Sequence, residues 1–194
     1  MVTYFEDYLY SIDLHTINNA VLSNTCLSFE KFLLEFTKSA DNTYGTFTTS
    51  QHDNYNLLTY PCIELNKLYH EIRKNICPYL EKKTFYMLKS WLNVYRVGQR
   101  IDWHNHWEHN KGVWHGFYCV QVGNSFTSYR IPTAQQDIVV PSVDGRLVFG
   151  KSDGDQHRSS VWEDISMPRI TIAFDIIPIE SITQLPTINH FIPL

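Results

Sequence analysis

"RITIAFDI", residues 169–176, sorts into two sets of side chains. Ile170, Ile172, Phe174 and Ile176 are apolar and two apart, while Arg169, Thr171, Ala173 and Asp175 fill the alternate positions. Successive strand residues point to opposite faces, so this period of two predicts a strand with one apolar and one mixed face. The apolar face can accept helices. The other turns Arg169 and Thr171 toward the mouth of whatever the sheet encloses, where a guanidinium is costly unless it meets an anion.

The same texture recurs upstream. "FYMLKSWLNVYRV" (85–97), "GVWHGFYCVQV" (112–122), "SFTSYRI" (125–131), "DIVV" (137–140) and "RLVFG" (146–150) are short β-like runs separated by turn residues. Such spacing suggests a sandwich or small barrel. The first third reads differently. Phe29, Phe32, Leu33 and Phe36 recur at helical spacing between Ser28 and Ala40, with Ser28 as a candidate N-cap. Leu65, Leu68, Tyr69, Ile72 and Ile76 do the same from Glu64 to Ile76, and Pro78 follows as a stop signal. Residues 39–56, rich in Asn, Thr and Ser, predict a loop or irregular strand pair. One domain over 1–194 is expected: a mostly helical or irregular cover (1–85), a β core (86–178) and a tail (179–194), with the helices on the outer face of the larger sheet.

Composition narrows the function classes. A chain of 194 residues suits one domain with a hydrophobic core. The formal charge is −4 and no run of five or six Lys or Arg occurs, which makes nucleic acid an unpromising partner. No segment reaches the roughly 20 apolar residues of a membrane span. "MVTYFEDYLYSIDLH" lacks the basic and apolar regions of a secretory signal. Cys26, Cys62, Cys77 and Cys119 show no CxxC spacing, against a zinc knot or disulfide framework, and a reducing cytoplasm fits best. Aromatic residues reach 14%, more typical of a packed β-rich fold than of a disordered chain.

"IDWHNHWEHNKG", residues 101–112, carries the candidate chemistry. On a strand, His104 and His106 would project from one face about 6 to 7 Å apart and could close on one ion. His157 lies in "GKSDGDQH", after the run "GRLVF" and twelve residues before Arg169. Two ligands close in sequence, one far away, then a basic residue on the final strand is the order of a mononuclear site in a double-stranded β-helix. Three neutral imidazoles can hold one face of an octahedron and leave three positions open, as non-haem iron oxygenases require; zinc would accept the same ligands.

"WLNVYRVGQRIDWHNH", "GVWHGFYCV", "GRLVFGKSDGDQH" and "PRITIAFDI" together resemble the 2-oxoglutarate and iron(II)-dependent oxygenase superfamily, closest to a small group with HxH in place of HxD or HxE. The likeness covers about residues 64–178 and extends weakly toward the N-terminus. Gly98 precedes His104 by six residues, as in prolyl hydroxylases and the DNA-dealkylating branch. Asn93 and Tyr95 are similar to residues that hold 2-oxoglutarate in the latter, and Arg169 with Thr171 resembles the RxS or RxN pair that grips its distal carboxylate. The resemblance implies a jelly-roll or cupin-like fold. It also implies a hydroxylase using Fe(II), O2 and 2-oxoglutarate on a small-molecule or peptidyl substrate. His104, His106 and His157 would be the metal ligands; Arg169, Thr171, Tyr95 and Asn93 would hold the co-substrate.

His106 is a departure, because a neutral ligand offsets less of the metal's charge than Asp would. "HWE" also offers His106 and Glu108 as an HxE pair with His157; the interval from Gly98 favours His104 and His106. A metal-binding cupin is the main rival: Gly98 to His106 satisfies GxxxxxHxH, but Asn110 and Lys111 stand where the motif needs Glu, and the Pro, Gly, His and Asn of the second motif are missing around His157. A non-catalytic jelly-roll binding module is a third reading. The string "HNH" also occurs in nucleases built on a ββα unit, but strand texture follows it here. Trp103, Trp107, His115 and Tyr118 are candidates for substrate contact, with wall packing the plainer role for the tryptophans and barrel structure for Tyr118. His109 would be expected near the mouth as well, with a surface role the plainer reading. His15, His52, His70 and His190 read as surface or satisfied polar residues. Cys119 reads as a small buried hydrophobe. Substrate and oligomeric state are not encoded in these patterns.

Overall fold

The structure is a computed structural model that describes residues 2–5, 8–36, 47–48, 55–107, 111–183, 185 and 190–194. In chain order its elements are strands β1 (Val2–Phe5) and β2 (Leu9–Asp13), helix α1 (Asn19–Phe36), strand β3 (Phe47–Thr48), helix α2 (Ile63–Ile76), and strands β4 (Tyr86–Tyr95), β5 (Trp114–Gln121), β6 (Phe126–Arg130), β7 (Ile138–Pro141), β8 (Arg146–Lys151), β9 (Gln156–Ser159), β10 (Arg169–Pro178) and β11 (Ile192–Pro193). They form two sheets. The larger runs β1-β2-β8-β5-β10-β4-β11, with β3 also on β4; the smaller runs β7-β6-β9. Every pairing is antiparallel.

Strand β10 lies between β4 and β5, and its two faces separate as residues 169–176 predict. Ile170, Ile172, Phe174 and Ile176 are fully buried in one cluster with Leu22, Cys26, Phe29 and Leu33 of α1 and Leu65, Leu68, Ile72 and Ile76 of α2. Each such side chain contributes roughly 1.5–3 kcal/mol relative to exposure. Ala173, on the other face, packs with Trp91, Phe117 and Val148 of the large sheet and Tyr129 of the small one. Two sheets therefore close over an interior that differs from the helix-covered core. At Gly116 of β5 an added Cβ would collide with the Val148 carbonyl oxygen and with the Phe174 ring, so the sheet excludes a side chain there.

The helices differ in how well their sequences announce them. α2 begins one residue before the predicted Glu64 and ends at Ile76. α1 starts much earlier than Ser28. Asn18 caps it, its Oδ1 accepting from the Val21 N–H at 3.2 Å, and Ser28 is an interior position rather than the N-cap. The buried stripe runs Leu22, Cys26, Phe29 and Leu33, while Phe32 is 51% exposed, so the helix is rotated away from the stripe drawn through Phe32. The two helices meet where the Asn18 N–H donates to Glu64 Oε2 at 2.8 Å. The N-terminal segment also supplies strands. β1 and β2 form a hairpin whose second strand pairs with β8, a feature the periodicity of residues 2–13 does not disclose. No described helix is long and apolar enough to cross a membrane.

Candidate metal centre

Register explains why distant residues converge. Across the larger sheet Arg169 faces Tyr95, Thr171 lies between Asn93 and Cys119, Ala173 between Trp91 and Phe117, and Asp175 between Lys89 and His115. Cross-strand partners share a face, so Arg169, Thr171, Asn93 and Tyr95 open into one interior cavity, which His104, His106, His115 and His157 also line. From the small sheet, Thr127 and Ser159 complete it. The cavity is narrow, about 60 Å3, enough for a few water-sized groups.

His104 and His157 are joined by the main chain. The His104 N–H donates to the His157 carbonyl at 3.1 Å and the His157 N–H to the His104 carbonyl at 2.9 Å. Ser159 N–H to Ile101 carbonyl at 3.1 Å and Trp162 N–H to Gln99 carbonyl at 3.0 Å continue the contact. Gly98, whose φ of +81° suits glycine, starts this segment.

The rings of His104, His106 and His157 have centroids 4.2 to 5.2 Å apart, and one nitrogen from each can be chosen so that all three lie within 4.8 Å of one another. His104 Nδ1 lies 2.8 Å from the Asp102 carbonyl oxygen, and His106 Nδ1 2.7 Å from Asp175 Oδ1. An oxygen acceptor fixes the tautomer with hydrogen on Nδ1, leaving the lone pair on Nε2. His106 Nε2 is buried with no hydrogen-bond partner, as is His157 Nδ1. Burial lowers the His104 pKa to about 4, helped by the neighbouring His106 charge. Burial also drives His157 well below the ordinary value, against the pull of Asp155. Both are neutral imidazoles near pH 7, the form a metal needs. At His106 burial pushes the same way, but Asp175 outweighs it and the net shift is upward.

A second group overlaps the first. His115, Asp155 and His157 also place ligand atoms within 4.8 Å. His115 Nε2 is 3.0 Å from Asp155 Oδ2, both residues nearly fully buried, and His157 Nδ1 is 3.8 Å from the same oxygen. His115 and His157 hold Asp155 far below the usual carboxylate range although burial opposes them. Asp155, two residues before His157 and just ahead of β9, was legible in principle as DxH; Asp175 was legible as an inward carboxylate needing a partner.

Arg169 is 1% exposed, the largest fully buried side chain described. Its Nη2 is 3.5 Å from Thr127 Oγ1, and its guanidinium carbon stands 4.8 Å from the Tyr95 ring centre. Nε and Nη1 have no partner among the described residues. A buried charge without a carboxylate beside it fits an anionic ligand in the same cavity.

The other candidates separate. His115 lines the cavity. Trp107 turns its indole N–H to Asp175 Oδ2 at 2.8 Å and packs near Phe191. The guanidinium groups of Arg130 and Arg158 lie over the Trp103 ring, 4.3 and 4.7 Å from its centre, and Trp103 is absent from the cavity lining. Tyr118 does not reach the cavity: as its place in β5 requires, it faces the helices and donates to Asn19 Oδ1 at 2.7 Å. Cys119 is a fully buried member of the inter-sheet cluster. Glu108, His109 and His52 lie outside the described residues.

No protein-family model and no curated protein matches the sequence. Solved structures do. A prolyl hydroxylase from Trichoplax adhaerens, in complex with a hypoxia inducible factor oxygen degradation domain peptide fragment, superposes with a TM-score of 0.68 at 11% identity, over 93% of this chain and 88% of that one. The non-heme monooxygenase ThoJ, as its Ni complex, gives 0.60 at 10% identity over 86% and 72%. A viral collagen prolyl hydroxylase from Paramecium Bursaria Chlorella virus-1, as a 2OG complex, gives 0.53 at 16% identity over 87% and 95%. At such identities the likeness is one of architecture, and the chain has the double-stranded β-helix fold of the 2-oxoglutarate and iron(II)-dependent oxygenases that its sequence resembles.

Proposed function

We propose that the protein is an iron(II)- and 2-oxoglutarate-dependent dioxygenase that hydroxylates a small-molecule or peptidyl substrate. One observation carries this reading: three imidazoles converge in the cavity that also holds a buried Arg169 with two unpartnered N–H groups. His104, His106 and His157 would hold the iron. With O2 and 2-oxoglutarate, bound iron supplies decarboxylation to succinate coupled to oxidation of the substrate. Arg169 receives the co-substrate's distal carboxylate as a fixed, always charged fork. Tyr95 braces that fork through its ring face, while Thr171 and Asn93 offer polar contacts beside it. Trp91, Phe117 and Ala173 give the cavity an apolar wall that limits water. His115 contributes to the lining, and substrate approaches from the mouth because the cavity is narrow. The four cysteines form no disulfide, consistent with a reducing cytoplasm, and the formal charge of −4 disfavours nucleic acid as substrate.

Anaerobic titration with Fe(II) and 2-oxoglutarate tests the reading through the weak visible charge-transfer band of the chelate. The band is expected in the native protein and lost in His104→Ala and His157→Ala. A band that survives His104→Ala but not His115→Ala would move the metal to the set containing Asp155. Tight Fe(II) binding with no response to 2-oxoglutarate would favour a cupin-type centre.

A further inference from the structure

Substituting His for the usual carboxylate at position 106 removes one negative charge from the ligand set. We propose that Asp175 returns that charge from behind His106, acting as a positioning residue for the metal; this rests on His104, His106 and His157 being the ligands. Asp175 Oδ1 takes the His106 Nδ1–H at 2.7 Å and Oδ2 takes the Trp107 Nε1–H at 2.8 Å, so each oxygen receives one donor and the carboxylate cannot rotate away. The His106 and Asp175 side chains are only 12% and 8% exposed, which leaves their interaction poorly screened.

The pairing is selective. His115 is the cross-strand neighbour of Asp175 but is turned to Asp155. His104 has a neutral carbonyl at its Nδ1, and His157 has a carboxylate only at 3.8 Å. Of the carboxylate contacts described for the three, that of His106 is the shorter, 2.7 Å against 3.8 Å at His157, and His106 is the ligand that stands where a carboxylate is usual. Trp107 reaches Asp175 from a backbone φ of +53°, a conformation costing an L residue about 1–2 kcal/mol. The fold therefore tolerates local strain at the contact that locks Asp175. A carboxylate hydrogen-bonded to a ligating imidazole raises its basicity and fixes its direction.

A double-mutant cycle read by Co(II) affinity and the Co(II) d–d spectrum, without turnover, tests this. Asp175→Asn is expected to weaken Co(II) binding roughly 10- to 100-fold in the His106 background. In the His106→Asp background, where the charge is back on the ligand itself, the same Asp175→Asn change should leave affinity equal or improve it. An equal loss in both backgrounds, or no loss in either, overturns the inference. Should Asp175→Asn alone fail to fold, the double variant decides: folded protein with native-like Co(II) affinity supports the exchange, and loss of binding overturns it. Unchanged Co(II) affinity in His157→Ala would instead overturn the ligand assignment, and the inference with it.

Discussion

Replacing Arg169 by Met should move two properties in opposite directions. Taking an ion out of water costs several kcal/mol even after relaxation. In the ligand-free protein that cost is offset by a cation–π contact with Tyr95, worth about 2 kcal/mol when desolvated, and by a marginal 3.5 Å contact with Thr127. Met keeps an apolar stem and removes the charge, so the ligand-free variant should be more stable by about 1–4 kcal/mol. For a chain of this size that is a rise in Tm on the order of 2–15 °C. Binding of 2-oxoglutarate should suffer. Hydrogen bonds from the two unpartnered donors, Nε and Nη1, to a carboxylate are worth about 1.5–3 kcal/mol each, so affinity falls on the order of 100- to 10,000-fold. Scanning calorimetry of metal-free protein and anaerobic calorimetric titration with 2-oxoglutarate measure the two. A less stable ligand-free variant would mean that the guanidinium is already compensated within the protein, and the argument for an anion site would collapse.

Two further outcomes concern the frame. Glu64 accepts from Lys67 Nζ and from the Asn18 N–H, both at 2.8 Å, and the hydrogen bond from Lys67 leads in lowering its pKa below 4.5 although burial opposes. The depressed native value means that its stabilisation is complete above the unfolded-state pKa and is lost as pH falls through the native one. Glu64→Gln should cost about 1–3 kcal/mol at pH 7, and the Tm gap to the native protein should close on acidification toward pH 3; a gap independent of pH would refute the ionic origin. Tyr118→Phe removes the bond to Asn19 and should cost about 0.5–1.5 kcal/mol in urea unfolding with Co(II) and 2-oxoglutarate affinities unchanged. Weakened 2-oxoglutarate binding at native stability would return Tyr118 to the cavity.

The β core was legible because its strands bury different chemistry on their two faces, as at Ile170 and Thr171, and alternation survives in the sequence. Helix α2 was legible for the same reason at the helical period. The start of α1 was not, since Asn18 and Ser28 are both acceptable caps and only packing against the sheet decides which stripe is buried. β9 escaped notice because "QHRS" is polar and has no alternation of its own; its pairing with β6 makes it a strand. At the site, spacing and order pointed to His104, His106, His157 and Arg169, which line one cavity. The roles of Asp155 and Asp175 depend on which imidazole each carboxylate meets across the sheets, and that information is not local in sequence. Trp107 was read as a wall or platform, and its indole instead serves Asp175.

The two main-chain hydrogen bonds between His104 and His157 make the separation of those positions independent of what side chains they carry. His106 sits two residues beyond the bridge, where orientation comes from a partner carboxylate and from Ser152, whose hydroxyl donates to the His106 carbonyl. On the proposed assignment, evolution or design could exchange the chemistry at 106 by adjusting one neighbouring acid, whereas any residue placed at 104 or 157 would inherit a backbone spacing set in advance.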